Sequence, residues 1–420
     1  MSHKPVVVIS SPVDTYSGYG ARSRDIVDAL ISLDKYDIKL LSQRWGNTKF
    51  GYLKDHGRED LVEKTVVGID QQPDVWIQIS VPNEFKKLGK YNIGITAGIE
   101  TTLCHASWIE GLNNMDLNLV SSNHAKQVFE TTKYRKEDNG KVIGTIELQT
   151  PIEVLFEGAK LDKYFPTKVK EGEIFENLNS IKESYAFLFV GHWLQGDLGH
   201  DRKNIKYLIK AFLETFKNKR NAPALILKTQ MATSSIIDRE TILKQIDAIR
   251  KTVGGTLPSI YLIYGELSDE QINELYNHDK VKSMLNFTKG EGFGRPLLEF
   301  SLTGKPIVAS GWSGHTDFLD KEFTYLVGGQ LHNVHPSAQV KDMILAESQW
   351  FQPNDGEVAT SMKALIDNEK KFTELAKRQQ YKSKTNFSFE AMTQQLDTIL
   401  EDNLPQFAQR LELNLPILNI

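Results

Sequence analysis

The sequence predicts an α/β protein built from two parallel, doubly wound sheets. Short apolar runs alternate with amphipathic helical segments up to about residue 157, and the same alternation restarts near residue 185. The length of 420 residues exceeds what one ordinary core supports and fits two domains. Since each half repeats the strand–helix pattern, we expect two Rossmann-like domains that face one another across a central cleft.

Apolar runs bounded by polar residues mark the predicted strands. The first half has six of them, at residues 5–10, 37–42, 74–80, 91–97, 117–122 and 152–156. The second half has five, at residues 185–191, 224–229, 260–265, 283–288 and 305–310. Helical periodicity connects many of these runs, for example at 21–33, 123–132, 204–216 and 268–278. Everything after about Asp355 is predicted to be mainly helical.

This pattern divides the chain into four predicted segments. They are an amino-terminal domain (1–157), a polar and poorly periodic linker (158–184), a carboxyl-terminal domain (185–385) and a final set of helices (386–420). Open parallel sheets bind their ligands beside the carboxyl ends of the strands. We therefore expect the binding site in the cleft between the domains, on the loops that leave these strand ends.

Composition excludes several classes of protein. The 50 Lys+Arg and 54 Asp+Glu residues give a net charge of −4, so bulk charge does not indicate a nucleic-acid partner. Cys104 is the only cysteine, which excludes an intrachain disulfide and favours a reduced, cytoplasmic location. The apolar run at the amino terminus is too short for a signal peptide, and no apolar stretch approaches about 18 residues, so we expect no membrane span.

The first candidate loop, SSPVDTYSGYGARSRD, follows the first strand. Gly18, Tyr19 and Gly20 lie where it enters a helix, so the backbone can approach a ligand closely and the positive end of the helix faces an anion. This is not the dinucleotide fingerprint, because Ser23 stands where a third glycine or an alanine is needed. A nicotinamide or flavin cofactor is therefore not expected. The alternative for this loop is a tight turn without a ligand.

The second candidate loop, VGHWLQGDLGHDRKNI, follows the first strand of the second half. Gly191 and His192 end the strand, and Arg202, Lys203 and Asn204 stand at the start of a helix. Two adjacent cations at a helix amino terminus suit a diphosphate. The alternative is a solvated charge pair, which is the commoner case at an isolated helix start.

The third candidate loop, FTKGEGFGRPLLEF, follows the fourth strand of the second half. Its glycines bring backbone N–H groups near a ligand, and Pro296 suits the first turn of a helix. Glu291 lies in the loop and Glu299 about one turn into the helix, so both carboxylates are expected to face one pocket. Carboxylates accept hydrogen bonds from the adjacent hydroxyls of a sugar or a ribose. A glutamate pair flanking GFGRP after a strand is a specific signal for such a ligand.

These segments resemble retaining glycosyltransferases of family 4 type, which have the GT-B fold. GEGFGRPLLEFSLTGKPIVASGWSGHTDFL resembles their donor-binding segment, DRKNIKYLIKAF their diphosphate-binding segment, and IYLIYGELSDEQINELY the strand and loop beside the nucleobase. The resemblance covers about residues 185–330, and extends more loosely to the amino-terminal half. It implies a UDP-linked sugar as donor, no metal or other cofactor, and final helices that cross back onto the amino-terminal domain.

The resemblance also implies a role for each matching residue. Glu291 would bind hydroxyls of the donor sugar, Glu299 the ribose of the nucleotide, and Arg202 with Lys203 the diphosphate that becomes the leaving group. No Asp-x-Asp motif stands near these cations, which agrees with cations doing the work of a metal. The other predicted donor-binding residues are Gly18, Tyr19, Gly20, Gly191, His192, Asn204, Gly292, Phe293 and Gly294.

Glu100, Glu291 and Arg202 are the predicted catalytic residues. Many relatives carry a histidine just before a glutamate in the amino-terminal half. In ITAGIETTLCHASW, Glu100 matches the glutamate, but Ile99 occupies the place of the histidine. His105 is a second candidate, whose alternative is a histidine at a helix start. The implied reaction retains the anomeric configuration, with the leaving phosphate accepting the proton of the acceptor hydroxyl.

The amino-terminal half also resembles glycosyltransferases encoded by large T4-like tailed phages. SPVDTYSGYGARSRDI, QRWG, QISVPNEFKKLGKYNIGITAGIETT and NHAKQVF carry this resemblance over much of residues 9–130. Some of these enzymes transfer glucose or arabinose to 5-hydroxymethylcytosine in phage DNA. The resemblance implies double-stranded modified DNA as acceptor. Local cations and aromatic side chains would bind it, although the net charge of the chain is −4. The predicted acceptor-binding residues are Arg44, Trp45, Lys86, Lys133 and Arg135.

Three alternatives stay open. In the first alternative, the protein is a glycosyltransferase whose acceptor is a glycan or a protein. The second is a nucleotide-sugar epimerase, which would need extra acid–base groups near the sugar. The third is a non-catalytic protein with affinity for a nucleotide sugar and no turnover. The sequence also leaves open the donor sugar and the oligomeric state.

Overall fold

Two six-stranded parallel sheets organise the computed structural model, which describes residues 4–138, 140–231 and 234–407. The strands of the first half are β1 (Val6–Ser11), β2 (Asp37–Ser42), β3 (Val75–Ile79), β4 (Tyr91–Thr96), β5 (Leu117–Val120), β6 (Tyr134–Asp138), β7 (Lys141–Ile146) and β8 (Ile152–Val154). The first sheet has the order β2-β1-β3-β4-β5-β8. Strands β6 and β7 pair only with each other, as an antiparallel hairpin.

The second sheet has the order β11-β10-β9-β12-β13-β14. The strands of the second half are β9 (Ala186–His192), β10 (Ala224–Gln230), β11 (Ile260–Ile263), β12 (Val281–Asn286), β13 (Ile307–Ser310), β14 (Tyr325–Val327), β15 (Gly329–Asn333) and β16 (Gln349–Pro353). Strands β15 and β16 form a second antiparallel hairpin. Both sheets are parallel throughout, and their inner strands, such as β1, β3 and β10, are fully buried, as expected where helices cover both faces.

Thirteen α-helices connect and cover these sheets in the described part of the chain. They are α1 (Gly18–Leu33), α2 (Tyr52–Asp55), α3 (Glu59–Val62), α4 (Ala106–Leu112), α5 (Asn123–Thr131), α6 (Glu173–Asn179), α7 (Ile205–Phe216), α8 (Ile236–Val253), α9 (Asp269–Asn277), α10 (Arg295–Ser301), α11 (Asp355–Asp367), α12 (Glu369–Asn386) and α13 (Phe389–Asn403). Single short 3-10 turns lie at Pro82–Glu84, Gly314–Asp317 and Pro336–Ala338.

The predicted fold class is confirmed, and the predicted strands all exist. Their ends differ by up to two residues, as for the run 117–122, which is a strand only over Leu117–Val120. Strand β14, the two hairpins and the short helices α2, α3 and α6 are not predicted. Each is too short, or too exposed on both faces, to show a clear apolar period.

The polar segment predicted to be a linker contains a helix. Helix α6 buries Ile174 and Leu178 in the same core as Tyr164, below the second sheet. A seven-residue helix offers only two turns, so its two buried side chains do not show up as a period in the sequence. The predicted bounds of the domains stay predictions.

The last helix, α13, packs on the first sheet and on α1. Met392, Leu396 and Leu400 are at most 1% exposed and belong to the core of the first half. Backbone hydrogen bonds tie Ala159, just after the first sheet, to both sides of the α12–α13 junction: its N–H donates to Phe387 O at 2.9 Å, and its carbonyl accepts from Phe389 N at 2.8 Å. The chain therefore crosses between the halves twice at one place, which is the arrangement of a hinge.

In the part of the chain that the structure describes, no helix combines the length and the apolar character needed to cross a membrane.

Leu396→Ala tests the attachment of α13. Because Leu396 is 1% exposed in the core, we expect the free energy of unfolding to fall by about 2–5 kcal/mol in denaturant titrations. Leu243→Ala, on α8, is the matched control, since that leucine is 39% exposed and should cost much less. Equal losses in the two variants would show that α13 is not part of the core.

Candidate functional site

The loop after β12 is built around glycines and leads into α10. Gly294 ends it with a φ of +99°, which favours glycine, and Pro296 lies in the first turn of the helix. The loop places Glu291 at the carboxyl end of the sheet with only 5% of the residue exposed. The backbone of Glu291 is held on both sides, since its N–H donates to Ser313 Oγ at 2.9 Å and its carbonyl accepts from Gly314 N at 3.0 Å.

Four charged side chains meet at this loop. Lys203 Nζ donates to both carboxylate oxygens of Glu291 at 2.7 Å. Arg202 Nη1 lies 3.1 Å from Glu100 Oε1 and 3.5 Å from Glu291 Oε2, and it donates to Gly290 O at 2.9 Å. Glu100 follows β4 of the first sheet, whereas the other residues belong to the second. Arg202 thus connects acidic groups on both sides of the cleft.

The charge of Glu291 is fixed by its two neighbours. Burial alone would raise the pKa of this carboxyl, but Lys203 and Arg202 outweigh it and lower the pKa to about 2. Glu291 is therefore a carboxylate at neutral pH, able to accept hydrogen bonds from hydroxyl groups. The cations beside it suit a ligand that carries an anionic group next to a polyhydroxylated one.

Glu299 lies in α10 and lines a different, adjoining cavity of about 910 Å³. Arg295 Nε donates to Glu299 Oε1 at 2.9 Å, and its Nη1 pairs with Asp25 of α1. Burial raises the pKa of Glu299 to about 7, because the single guanidinium is shared with Asp25 and only partly offsets the loss of water. The two glutamates of the motif thus line neighbouring cavities rather than one pocket.

The loop between β1 and α1 approaches the same cleft from the first sheet. A Cβ on Gly20 would lie 2.3 Å from Thr15 O, so this glycine serves the turn itself. Gly18 has open space around it. Tyr19 is fixed by its hydroxyl, which lies 2.9 Å from Thr96 Oγ1 and accepts from Ala97 N at 3.2 Å.

A cavity of about 530 Å³ runs along the facing strand ends. Beside Glu100 and Glu291, the predicted donor-site residues that line it are Gly18, Tyr19, Gly191, His192, Arg202, Lys203, Gly292, Phe293 and Gly294. Gly20 and Asn204 do not line it. Asn204 is fully buried, and its amide donates to Phe287 O at 2.9 Å, so it holds the second loop in place.

Comparison with solved structures gives the fold. The chain is similar to a glycosyltransferase from Rickettsia africae (TM-score 0.64, 12% identity, 96% of this chain and 100% of that one). It is also similar to HepE from Anabaena in complex with UDP-glucose (0.63, 13%, 95% and 100%) and to sucrose-phosphate synthase from Thermosynechococcus elongatus (0.62, 11%, 95% and 99%). The chain has the GT-B fold. No family model and no curated protein sequence matches it.

His105, the second candidate near Glu100, has a local structural role. It is the N-cap of α4, where its Nδ1 accepts from Ser107 N at 3.3 Å. This geometry matches the alternative of a helix-start histidine. Ile99, which precedes Glu100, is 2% exposed and belongs to an apolar cluster.

The predicted acceptor-binding residues do not come together at the cleft. Lys86 is exposed between β3 and β4 and lines none of the cavities described here, while Lys133 pairs with Glu147 at 2.6 Å. Arg135 lies in the hairpin strand β6. Arg44 is exposed over the ring of Phe50. None of these four residues lines the cavity that holds Glu100 and Glu291.

Trp45 is the one predicted acceptor residue that lines the cavity of about 530 Å³, as do Gln230 and Glu266 of the second half. Its ring stacks on Tyr19, with centroids 4.1 Å apart. It therefore belongs to the same cavity as the donor-site residues.

Sequence reasoning missed several residues of the site. Lys228, at the end of β10, lines the cavity and donates to Gly265 O at 2.7 Å. Its signal was a lysine within the apolar strand ALILKTQ. The ion pair of Arg295 with Asp25 could not be seen in the sequence, because the two residues are 270 positions apart and meet only in the folded chain.

Among the described residues, no group of three or more His, Cys, Asp or Glu side chains is placed to hold a metal ion.

Gly290→Ala tests the contact between the two halves. A Cβ at Gly290 would lie 2.0 Å from Glu100 O, so we expect the variant to hold the domains apart. Small-angle X-ray scattering should then show a larger radius of gyration than for the wild type. Gly144→Ala, with open space around that glycine, is the control. Identical scattering of all three proteins would contradict this contact in solution.

Proposed function

We propose that this protein is a retaining glycosyltransferase of family 4 type that uses a UDP-sugar. The observation that carries the proposal is the position of the Arg202 guanidinium, which lies between the carboxylates of Glu100 and Glu291 at the facing strand ends. A diphosphate beside Arg202 and Lys203 leaves Glu291 to accept hydrogen bonds from the sugar. The complex of HepE with UDP-glucose supports uridine as the nucleoside.

The proposed reaction needs no group beyond the two substrates and this chain. The bond between the anomeric carbon and the β-phosphate oxygen breaks, and a bond from that carbon to the acceptor oxygen forms on the same face. The acceptor proton passes to the departing phosphate, so the products are UDP and a glycoside. Arg202 and Lys203 would stabilise the negative charge that grows on the diphosphate, in the place of a metal.

We further propose 5-hydroxymethylcytosine in double-stranded DNA as the acceptor, with glucose or arabinose as the sugar. Its support is the resemblance of residues 9–130 to T4-like phage enzymes. A base within a duplex reaches such a cleft only when it is flipped out of the stack. Among the described residues, Lys133 is paired with Glu147 and Lys87 with Asp116, so both would have to exchange these partners for phosphates.

The test is a transfer assay on duplex DNA that contains hydroxymethylcytosine. UDP-glucose and UDP-arabinose are offered separately, with unmodified DNA beside them, and digested nucleosides are read by mass spectrometry. We expect a gain of one sugar mass on the modified base only. Glu291→Gln should abolish the gain, because the amide cannot replace both acceptor oxygens.

Other outcomes of the transfer assay would indicate one of the alternative functions. Release of UDP without a mass gain on DNA would move the acceptor to a glycan or a protein. Conversion of the UDP-sugar into an epimer would indicate an epimerase. Binding of UDP-glucose without any turnover would leave a nucleotide-sugar-binding protein and contradict the proposed activity.

Affinity for UDP-glucose should depend on pH through Glu299, because its cavity shares Gly18, His192 and Glu266 with the donor-site cavity and a ribose can lie where the two join. With its pKa at about 7, the carboxylate fraction rises from about one tenth at pH 6 to about nine tenths at pH 8. A carboxylate accepts from both ribose hydroxyls, so affinity measured by calorimetry should tighten by up to about tenfold over this interval. The diphosphate diester of UDP-glucose does not titrate there. If the affinity of the Glu299→Gln variant for UDP-glucose still increased with pH in the same way, Glu299 would not be the group responsible.

A further inference from the structure

The residues of the second domain that line the cavity of about 530 Å³ follow the order of the strands from which they come. Glu291 follows β12, Arg202 and Lys203 follow β9, and Gln230 and Glu266 lie at the ends of β10 and just after β11. These strands are neighbours in the order β11-β10-β9-β12. A nucleotide sugar with its sugar at Glu291 and its diphosphate at the cations therefore extends its base towards Gln230 and Glu266.

An aromatic side chain from the other domain lines the same cavity. Trp45 follows β2 and lines the cavity together with Gln230 and Glu266. The same three residues line an adjoining cavity of about 540 Å³. The indole of Trp45 stacks on Tyr19 at an interplanar angle of 24°, and Tyr19 is itself bonded to the end of β4. The indole is thus held in a defined orientation before any ligand arrives.

We propose that Trp45 is the surface on which the nucleobase of the donor stacks. The base would lie between the indole, from the amino-terminal domain, and the ends of β10 and β11, from the carboxyl-terminal domain. This inference rests on the proposed function. It assigns Trp45 to donor recognition instead of acceptor binding, and it makes the base a direct link between the two domains.

The two cavities favour the donor, not the acceptor, as the ligand of Trp45. Trp45, Gln230 and Glu266 line both the cavity of about 530 Å³ and the adjoining one of about 540 Å³, whereas Glu100 and Glu291 line only the first. An acceptor hydroxyl must approach the anomeric carbon near Glu100 and Glu291, and neither of these residues lines the second cavity.

Calorimetry of UDP and of inorganic pyrophosphate tests the proposal. Pyrophosphate carries the anionic groups of UDP without the base. Trp45→Ala should weaken UDP binding by about tenfold to hundredfold, the range typical of base–aromatic stacking. The same variant should bind pyrophosphate as the wild type does. Trp45→Phe should restore most of the affinity for UDP, since the phenyl ring also stacks.

Tyr381→Ala is the matched control. Tyr381 lies in α12, is 72% exposed and lines neither of the two cavities that Trp45 lines. It should bind both ligands normally, and thermal melting curves check that each variant is folded.

Each contrary result has its own meaning. Equal losses for UDP and pyrophosphate would show that Trp45 only shapes the cavity, and the proposal would be wrong. Unchanged UDP binding with a raised KM for the acceptor would place Trp45 in the acceptor site and would also overturn it. A wild-type protein that binds neither ligand would overturn the proposed function itself.

Discussion

The ion pair of Arg202 with Glu100 is the interaction on which the geometry of the cleft depends. It joins the end of a first-sheet strand to a second-sheet loop at 3.1 Å, with both side chains at most 23% exposed. Because partly buried charges are costly to leave unpaired, the pair favours a closed cleft in the free protein. The glycines around it allow the approach, since a side chain at Gly290 or Gly292 would collide with the backbone of residues 97–100.

The fold was predictable because its evidence is local. A buried parallel strand is a continuous apolar run, and the alternation of such runs with helices defines the class even when strand ends move by two residues. The glycine loop with Glu291 and the cation pair were also predictable, because each is a short motif after a strand. Helix α6 and the two hairpins were not, since a few buried side chains leave no period.

The parts of the site that depend on residues far apart in the chain could not be predicted from the sequence. Nothing in the motif GFGRP shows that Arg295 reaches Asp25, or that this shared cation leaves Glu299 with a raised pKa. Trp45 was identified from its sequence neighbourhood and predicted to bind the acceptor, and only the fold shows that it lines two cavities together with Gln230 and Glu266. The sequence also could not show that Lys86 and Lys133 line none of the cavities at the cleft, or that Lys133 pairs with Glu147.

Strand order also determines how a large acceptor must enter. On the β4–β5 side, the halves are joined by Thr102 with Gln349 through two hydrogen bonds of 2.9 Å, and by Asn123 N with Asp317 at 2.8 Å. These contacts cover the side on which Glu100 lies, so under the proposed function a polymeric acceptor would reach the anomeric carbon only after they separate. The backbone crossing at Ala159 is a place where such a movement could turn. A nucleotide sugar is small enough to enter without this movement, so the proposed function leads us to expect that the donor binds before a polymeric acceptor.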